Sequence, residues 1–301
     1  MIKQFLSHIF GYFLVGFVWL LSRLPLRALY PLSSLLAFVM ADVVAYRRKV
    51  VRQNLRRSFP QQPEKEIRRI ARGFYRHLAE VMVETIKLLH IPDREIRHRS
   101  IIEPEADKLL RTLSAEKRSF ICLMGHFGNW EWIPPTVYLN HSFEITPAYR
   151  PLRNKVIDRL MLKIRGQYTH ALVPKKQVAR FLVRFSRQEA PGILGLIADQ
   201  TPAPGAAYWT EFLHQDTPVF SGPEKLARTF GMPVVFAALR REQRGRYRLH
   251  IQLLTNRPQD LPEGELSKLF MKKLEAEILR APAHWLWSHR RWKHGKDVGK
   301  R

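Results

Sequence analysis

Residues 119–131 read SFICLMGHFGNWE, an apolar run of six residues followed by a polar segment that contains two glycines. The apolar run at 119–124 predicts a buried strand, because it is short and ends in turn-forming residues. The next segment predicts a turn and then a helix that opens with Glu131. An imidazole and a carboxylate, His126 and Glu131, therefore stand five residues apart at a strand-to-helix junction, where α/β proteins place their chemistry.

A histidine that is oriented by a carboxylate can take a proton from an alcohol or an amine. The spacing thus predicts His126 as a general base and Glu131 as the acid that holds its ring. Most histidines with an acid nearby in sequence are solvated or structural. The predicted position at the end of a strand favours the catalytic interpretation.

The composition indicates a folded protein that seeks anionic partners. The chain has 301 residues, 46% of them hydrophobic, with 51 Lys and Arg against 26 Asp and Glu and a formal net charge of +25. Such a charge favours nucleic acid, an anionic bilayer or acidic soluble partners. The single cysteine, Cys122, excludes an intramolecular disulfide and a multi-cysteine zinc site, and no set of metal ligands stands out, so no metal is expected.

The N-terminus favours the bilayer among these partners. The stretch from Phe5 to Leu21 is almost wholly apolar and lies near the lower limit of about 17–25 residues for a membrane span. A secretory signal is the competing interpretation, but no small-residue cleavage site follows. A second apolar stretch, Leu26 to Tyr46, contains Pro31 and Asp42 and predicts an interfacial or packed helix.

Basic residues follow these apolar stretches at positions 47–57 and favour retention on the cytoplasmic side. We therefore divide the chain into a hydrophobic membrane-anchoring region, residues 1–46, and a main body, residues 47–301.

The main body alternates predicted strands and helices. This alternation predicts a single α/β domain in which helices cover a mixed or parallel sheet. The predicted strands are Ser119–Met124, Phe143–Tyr149, Gly192–Asp199, Pro233–Arg240 and Tyr247–Leu254. Besides the helix that opens with Glu131, five helices are predicted. The first begins at Pro63, and the others are Val156–Ile164, Val178–Phe185, Pro223–Phe230 and Glu263–Arg280.

Further polar residues stand at predicted element ends. Arg150 follows the second strand, Arg165 ends the next helix, and Asp199 and Gln200 close the strand at 192–199, before the loop prolines and glycine at 202–205. Each of them alone is ordinary surface or turn chemistry. Together they would give one pocket cations for an anionic substrate and a polar anchor beside the base.

Five blocks in a fixed order carry a resemblance to a known family. They are GHFGNWE, YRP, a following RG, ADQ and the C-terminal HWLWSHRRWK. The first resembles the His-x4-acid block of the glycerolipid and lysophospholipid acyltransferase superfamily. All five, over nearly the whole chain, are similar to the bacterial lipid A biosynthesis acyltransferases of the lauroyl and myristoyl branch.

The resemblance implies acyl transfer from an acyl carrier protein thioester to a hydroxyl of a lipid A precursor, without a cofactor. It implies His126 and Glu131 as the catalytic pair and Arg150 and Arg165 as ligands of acceptor phosphate or phosphopantetheine. Asp199 and Gln200 would shape the acceptor site. Backbone N–H groups around Gly128 and Asn129, at the predicted helix start, would meet the substrate oxyanion.

Other functions remain open at this point. The acceptor could be a lysophospholipid or an aminoacyl lipid, and acyl-CoA could replace the carrier-protein donor. A non-enzymatic nucleic-acid binder or membrane scaffold would explain the charge but not the ordered blocks, so no nucleic-acid partner is expected. The expected location is the cell inner membrane, with the catalytic domain on the cytoplasmic face and in contact with anionic lipid.

Overall fold

The apolar run of the first block forms the middle strand of a seven-stranded sheet in the computed structural model of the chain. The structure describes residues 2–152, 154–185, 190–203 and 207–293. The strands in these ranges are β1 (Ser100–Ile102), β2 (Phe120–Gly128), β3 (Glu144–Tyr149), β4 (Val173–Pro174), β5 (Gly192–Ile197), β6 (Ala207–Phe212), β7 (Gln215–Phe220), β8 (Val234–Gln243) and β9 (Arg246–Thr255).

Helices cover both faces of this sheet. They are α1 (Ile2–Arg23), α2 (Leu26–Phe38), α3 (Arg48–Ser58), α4 (Glu64–Lys87), α5 (Asp93–Arg99), α6 (Pro104–Ala115), α7 (Ile133–Tyr138), α8 (Lys155–Gly166), α9 (Val178–Phe185), α10 (Gly222–Phe230) and α11 (Glu265–Arg280). The strand order is β1-β9-β8-β2-β5-β3-β4, with β8 and β9 antiparallel and the other pairs parallel. The predicted α/β fold with a mixed sheet is confirmed.

Side-chain alternation along β2 divides the core into two layers. Ile121 and Leu123 pack with α4, α9 and α11 on one face of the sheet. Phe120, Cys122 and Met124 belong to the apolar cluster on the other face, which includes side chains of α7 and α8. A strand of this kind is apolar throughout because both of its faces are buried.

The shorter elements and the hairpin formed by β6 and β7 were not predicted from the sequence. Strands β6 and β7 pair antiparallel as a separate two-stranded sheet. Their connection passes through Leu213 and His214, which both have positive φ. Neither residue type is typical of this conformation, so the turn could not be predicted from the sequence. Pro204 and Gly205 of the predicted loop lie outside the described residues.

The apolar N-terminal region forms two helices that pack on α4. Among the described residues, Leu26–Val43 is the stretch that is long and apolar enough to cross a membrane, by length and composition only. A third of that stretch is buried within the protein, and residues 39–43 of it form a π-helical turn. The described apolar part of α1, Gly11–Arg23, is shorter.

Strand β2 continues four residues past its predicted end, and a glycine makes this possible. Gly128 has φ +60° and pairs with Leu239 of β8. A Cβ at this position would lie 1.8 Å from the Leu239 carbonyl oxygen. Residues 130–132 then form a single 3-10 turn before α7. The α-helix therefore begins at Ile133 and not at Glu131. Residues 127 and 128 belong to β2, and Asn129 directly precedes the 3-10 turn.

We expect Gly128→Ala to destabilise the protein by at least about 3 kcal/mol, because the substitution adds left-handed backbone strain to a backbone clash. Gly166→Ala is the matched control, since Gly166 has open space around its Cβ position and an ordinary φ. Thermal unfolding of the two variants tests this expectation. Equal melting temperatures would contradict the tight pairing of Gly128 with β8.

Candidate active site

His126 is held by the carboxylate of Asp199. The Nδ1 atom of His126 lies 2.7 Å from Oδ1 of Asp199, and the backbone N–H of His126 donates to Oδ2 at 2.8 Å. Trp285 donates its indole N–H to the same Oδ2 at 2.9 Å. The Asp199 side chain is almost fully buried, so its negative charge is balanced by these donors and by the imidazole.

The sheet brings this pair together. Strands β2 and β5 are parallel neighbours, and Met124 of β2 is in register with Ile197 of β5. Two residues further along each chain stand His126 and Asp199. The carboxyl ends of parallel strands meet at one edge of a sheet, so an acid after β5 falls beside a histidine in β2.

Asp199 also fixes the direction of the imidazole. An acceptor at Nδ1 places the proton of the neutral ring on that nitrogen and leaves Nε2 unprotonated. His126 lines the large cavity described below. The ring of Trp130 packs against the imidazole edge-to-face, with ring centroids 5.1 Å apart. The arrangement can therefore present a base to a bound hydroxyl.

The pair shifts both pKa values. Burial by itself lowers the pKa of His126, but the charge and hydrogen bond of Asp199 outweigh it and raise the pKa above the usual 6.5. For Asp199, burial by itself raises the pKa, yet the charge and hydrogen bonds of His126 bring it down to about 2.

These shifts define the pH range in which the pair stabilises the fold. The contribution of Asp199 is present above its unfolded pKa of about 4 and is lost as the pH falls toward 2. The contribution of His126 is present below pH 6.5 and is lost as the pH rises through the folded-state pKa. The pair therefore stabilises the protein most between about pH 4 and 6.5.

Glu131 has a different partner from the predicted one. Its two carboxylate oxygens accept from Arg165 at 2.9 and 2.6 Å, a paired arrangement of both charged groups. Glu131 also accepts the indole N–H of Trp130 at 3.2 Å. Its negative charge contributes to the raised pKa of His126 only after that of Asp199. The structure thus gives the ring-holding position at Nδ1 to Asp199, because Glu131 is taken up by Arg165.

A cavity of about 910 Å³ opens beside His126. Its polar part is formed by His126, Glu131, Arg150, Arg165, Lys175 and Gln200. Its apolar part extends under the sheet and is formed by residues that include Phe120, Cys122, Met124, Ile133, Ile145, Ile164, Ile193 and Ile251. Burial in this apolar wall raises the pKa of the Cys122 thiol to about 12, so the thiol stays protonated.

The structure brings most of the predicted site residues to this cavity, but not all of them. Gln200 places its Nε2 3.5 Å from Nε2 of His126. Arg150 and Arg165 line the wall, whereas Asp199 lies behind the imidazole, outside the cavity lining. Gly128 and Asn129 do not line the cavity either.

The side chain of Asn129 is buried away from the cavity. It is fully buried and donates to Glu84 at 2.6 Å. Tyr30 and Tyr247 donate to the same carboxylate, at 3.0 and 2.5 Å. Burial, partly offset by these hydrogen bonds, raises the pKa of Glu84 to about 7. The Glu84 carboxylate of α4 therefore joins Asn129, directly after β2, to α2 and β9.

Sequence reasoning missed two contributors to the site. Lys175 lies in the cavity wall with its ammonium 4.0 Å from the ring centroid of Phe220, and burial together with Arg150 lowers its pKa. Trp285 is buried in the core and donates to Asp199, a hydrogen bond that was not foreseen. Only the fold brings residue 285 beside residue 199, so no local pattern could have shown this contact.

An oriented histidine beside a cavity with a large apolar part suits an enzyme that acts on a fatty acyl chain. The chain belongs to the bacterial lipid A biosynthesis acyltransferase family, whose sequence model matches residues 3–294. The resemblance drawn from the five sequence blocks is thereby confirmed, and with it the acyltransferase class of the enzyme.

Three curated relatives agree with this family. The chain is 25% identical to the lipid A biosynthesis lauroyltransferase of Escherichia coli K12, over 93% of this chain and 90% of the relative. It is also 25% identical to the lipid A biosynthesis palmitoleoyltransferase of that strain, over 94% of this chain and 90% of the relative. A lipid A biosynthesis acyltransferase of Shigella flexneri matches to the same extent.

Proposed function

We propose that the protein transfers a fatty acyl chain from an acyl carrier protein thioester to a hydroxyl of a lipid A precursor, with His126 as the general base. The observation that carries the proposal is the position of His126: its Nδ1 is bound to Asp199 and its ring lines a cavity with a long apolar part. The names of the relatives support a lipid A precursor as the acceptor.

The reaction needs no acyl-enzyme. Nε2 of His126 takes the proton of the acceptor hydroxyl while its oxygen attacks the thioester carbonyl carbon. The carbon–sulfur bond then breaks, and the proton held on Nε2 passes to the leaving thiolate. Ester and free thiol are the products. Asp199 stabilises the imidazolium that forms between the two proton transfers, because its charge lies next to Nδ1.

Gln200 supplies a donor for the oxyanion. Its side-chain amide lies beside Nε2 of His126 and lines the same cavity. This role replaces the backbone donors expected around Gly128 and Asn129, since the strand runs on through Gly128. An amide aimed at the developing negative charge lowers the barrier most when the site excludes water.

The cationic wall binds the phosphate groups of the substrates. Arg150 and Lys175 lie there, together with Arg165, which Glu131 holds in a fixed orientation. The guanidinium of Arg165 can donate to a phosphate or to phosphopantetheine while Glu131 fixes its orientation. Glu131 thus acts through Arg165, as a positioning residue.

The N-terminal surface supports a location at a membrane. We place the protein at the inner membrane with its main body on the cytoplasmic face. Leu26–Val43 is long and apolar enough to span a bilayer. The large apolar side chains that α1, α2 and the turn after α2 leave exposed support membrane contact; they include Tyr12, Phe13, Phe17, Leu20, Leu35, Phe38 and Val43.

Kinetics of three variants test the catalytic assignment. His126→Ala should abolish transfer, and Asp199→Asn should lower kcat by about 10²–10⁴-fold, because the imidazole loses its oriented tautomer. Glu131→Gln should raise KM more than it lowers kcat, because its effect passes through Arg165.

The assay measures transfer of a radiolabelled acyl chain from acyl carrier protein, with acyl-CoA as the comparison donor. If Asp199→Asn keeps a normal kcat and Glu131→Gln loses its activity, Glu131 and not Asp199 is the acid that orients the imidazole. Normal turnover by His126→Ala would remove the general base.

The apolar part of the cavity sets the length of the acyl chain. It follows β2 from His126 back to Phe120, a distance of about 20 Å for six residues of extended strand. Phe120 lines the cavity at that end of β2 and packs edge-to-face on Phe143, with ring centroids 5.4 Å apart. Cys122 lies partway along this wall, so a larger side chain there would block the deeper part.

We expect Cys122→Phe to shift the enzyme toward shorter acyl donors by at least about tenfold in relative kcat/KM, since several buried methylenes lose their contacts. Cys122→Ala is the control and should keep the native preference. Competition between donors of different length, with the product masses read by mass spectrometry, measures the shift. An unchanged preference in Cys122→Phe would show that the chain binds elsewhere.

A further inference from the structure

A second cavity, of about 570 Å³, lies between α2, α4 and the end of β8. It shares no lining residue with the active-site cavity. Its walls carry four arginines, Arg72, Arg76, Arg241 and Arg244, against two acids, Asp42 and Glu80. We call it the basic pocket. Its charge is not needed for the acyl transfer described above.

The inner part of the basic pocket is fixed by one buried carboxylate. Glu80 is 1% exposed and forms ion pairs with both Arg241 and Arg244, each at 2.6 Å. Arg244 also donates to the Ser34 hydroxyl at 3.0 Å and lies over the ring of Tyr30. One carboxylate therefore holds two guanidinium groups in place, and the floor of the pocket keeps a positive charge.

The outer part carries two arginines that have no protein partner among the described residues. Arg72 and Arg76 are exposed and lie two turns and one turn before Glu80 on α4, respectively. Like charges four residues apart on a helix repel each other and destabilise it slightly. An anion bound between them would remove this repulsion, and guanidinium groups are suited to phosphate oxygens.

Another wall of the basic pocket belongs to the segment of membrane-spanning length. Ala37, Phe38 and Ala41 of that segment line it with apolar groups, next to the Ser34 hydroxyl and the Asp42 carboxylate, which lies 3.9 Å from Arg48 outside the pocket. The same helix leaves Leu32, Leu35 and Phe38 exposed, with Phe38 56% exposed. Positive charge and an exposed apolar helix face therefore meet at one place. A ligand with an anionic head and apolar tails matches both.

We propose that the basic pocket binds the phosphodiester headgroup of an anionic phospholipid, whose acyl chains lie along the exposed apolar face of α2. Arg72 and Arg76 contact the phosphate, and the Arg241–Glu80–Arg244 cluster supports them from below. The proposal rests on the membrane location argued above but not on the acyl-transfer chemistry. Such a lipid would fix the depth and tilt of the catalytic body at the bilayer surface.

An acidic carrier protein is the competing occupant of a basic surface. The exposed apolar face of α2 favours the lipid, because the apolar side chains beside the pocket match acyl chains and not a charged protein surface. The experiment below separates the two.

Thermal unfolding of the full chain in neutral detergent micelles tests the proposal. Phosphatidylglycerol added to the micelles should raise the melting temperature, and phosphatidylcholine with the same acyl chains should do so much less, because a ligand of the folded state stabilises it by mass action. Arg72→Gln with Arg76→Gln should weaken apparent phosphatidylglycerol affinity by about tenfold or more.

The matched control is Lys108→Gln with Lys117→Gln, which removes the same charge from exposed positions outside the pocket. This control should keep the phosphatidylglycerol effect within about threefold, as expected when only long-range charge changes. His126→Ala should keep it fully, so a failure of the catalytic assignment would leave this result intact. If the double glutamine variant does not fold, the single Arg72→Gln variant gives the same comparison.

Three results would overturn the proposal. The first is an unchanged phosphatidylglycerol effect in the double glutamine variant. The second is equal stabilisation by soluble sn-glycerol 3-phosphate, which would indicate a site for a free phosphate and not for a lipid. The third is a loss of affinity for acyl carrier protein in the double glutamine variant, together with an unchanged response to phosphatidylglycerol. That result would make the pocket a protein-docking surface.

Discussion

The buried carboxylate of Asp199 ties together three distant parts of the chain. It accepts from the backbone and ring of His126 at the end of β2, stands after β5, and accepts from Trp285 near the C-terminus. The backbone N–H of Leu286 donates in turn to the carbonyl of His126. Because a buried charge is tolerated only with such partners, the fold and the orientation of the His126 ring depend on the same contact.

The remaining polar groups of the site are arranged around this contact. Glu131 and Arg165 neutralise each other in the cavity wall, and Trp130 packs between Glu131 and the imidazole. Two acids near one imidazole thus have separate tasks, one at Nδ1 and one on a guanidinium. The positive charge that remains in the wall comes from Arg150 and Lys175, and Asp199 stays paired with His126.

The sequence predicted the sheet but not the carboxylate that lies at Nδ1 of His126. Long apolar runs such as 119–124 and 192–197 are visible because a strand buried on two faces has no polar positions. Glu131 was paired with His126 since the two are close in sequence. Asp199 is 73 residues away, and only the parallel register of β2 with β5 shows that it is the neighbour in space. The burial of Asn129 against Glu84 was hidden for the same reason.

The most direct test is the pKa of His126, measured by NMR titration of the labelled imidazole in the full chain. The contact with Asp199 predicts a pKa above 6.5 in the native protein, a fall below that value in Asp199→Asn, where burial is no longer opposed, and a smaller fall in Glu131→Gln. A native pKa below 6.5, or a larger fall in Glu131→Gln than in Asp199→Asn, would contradict it.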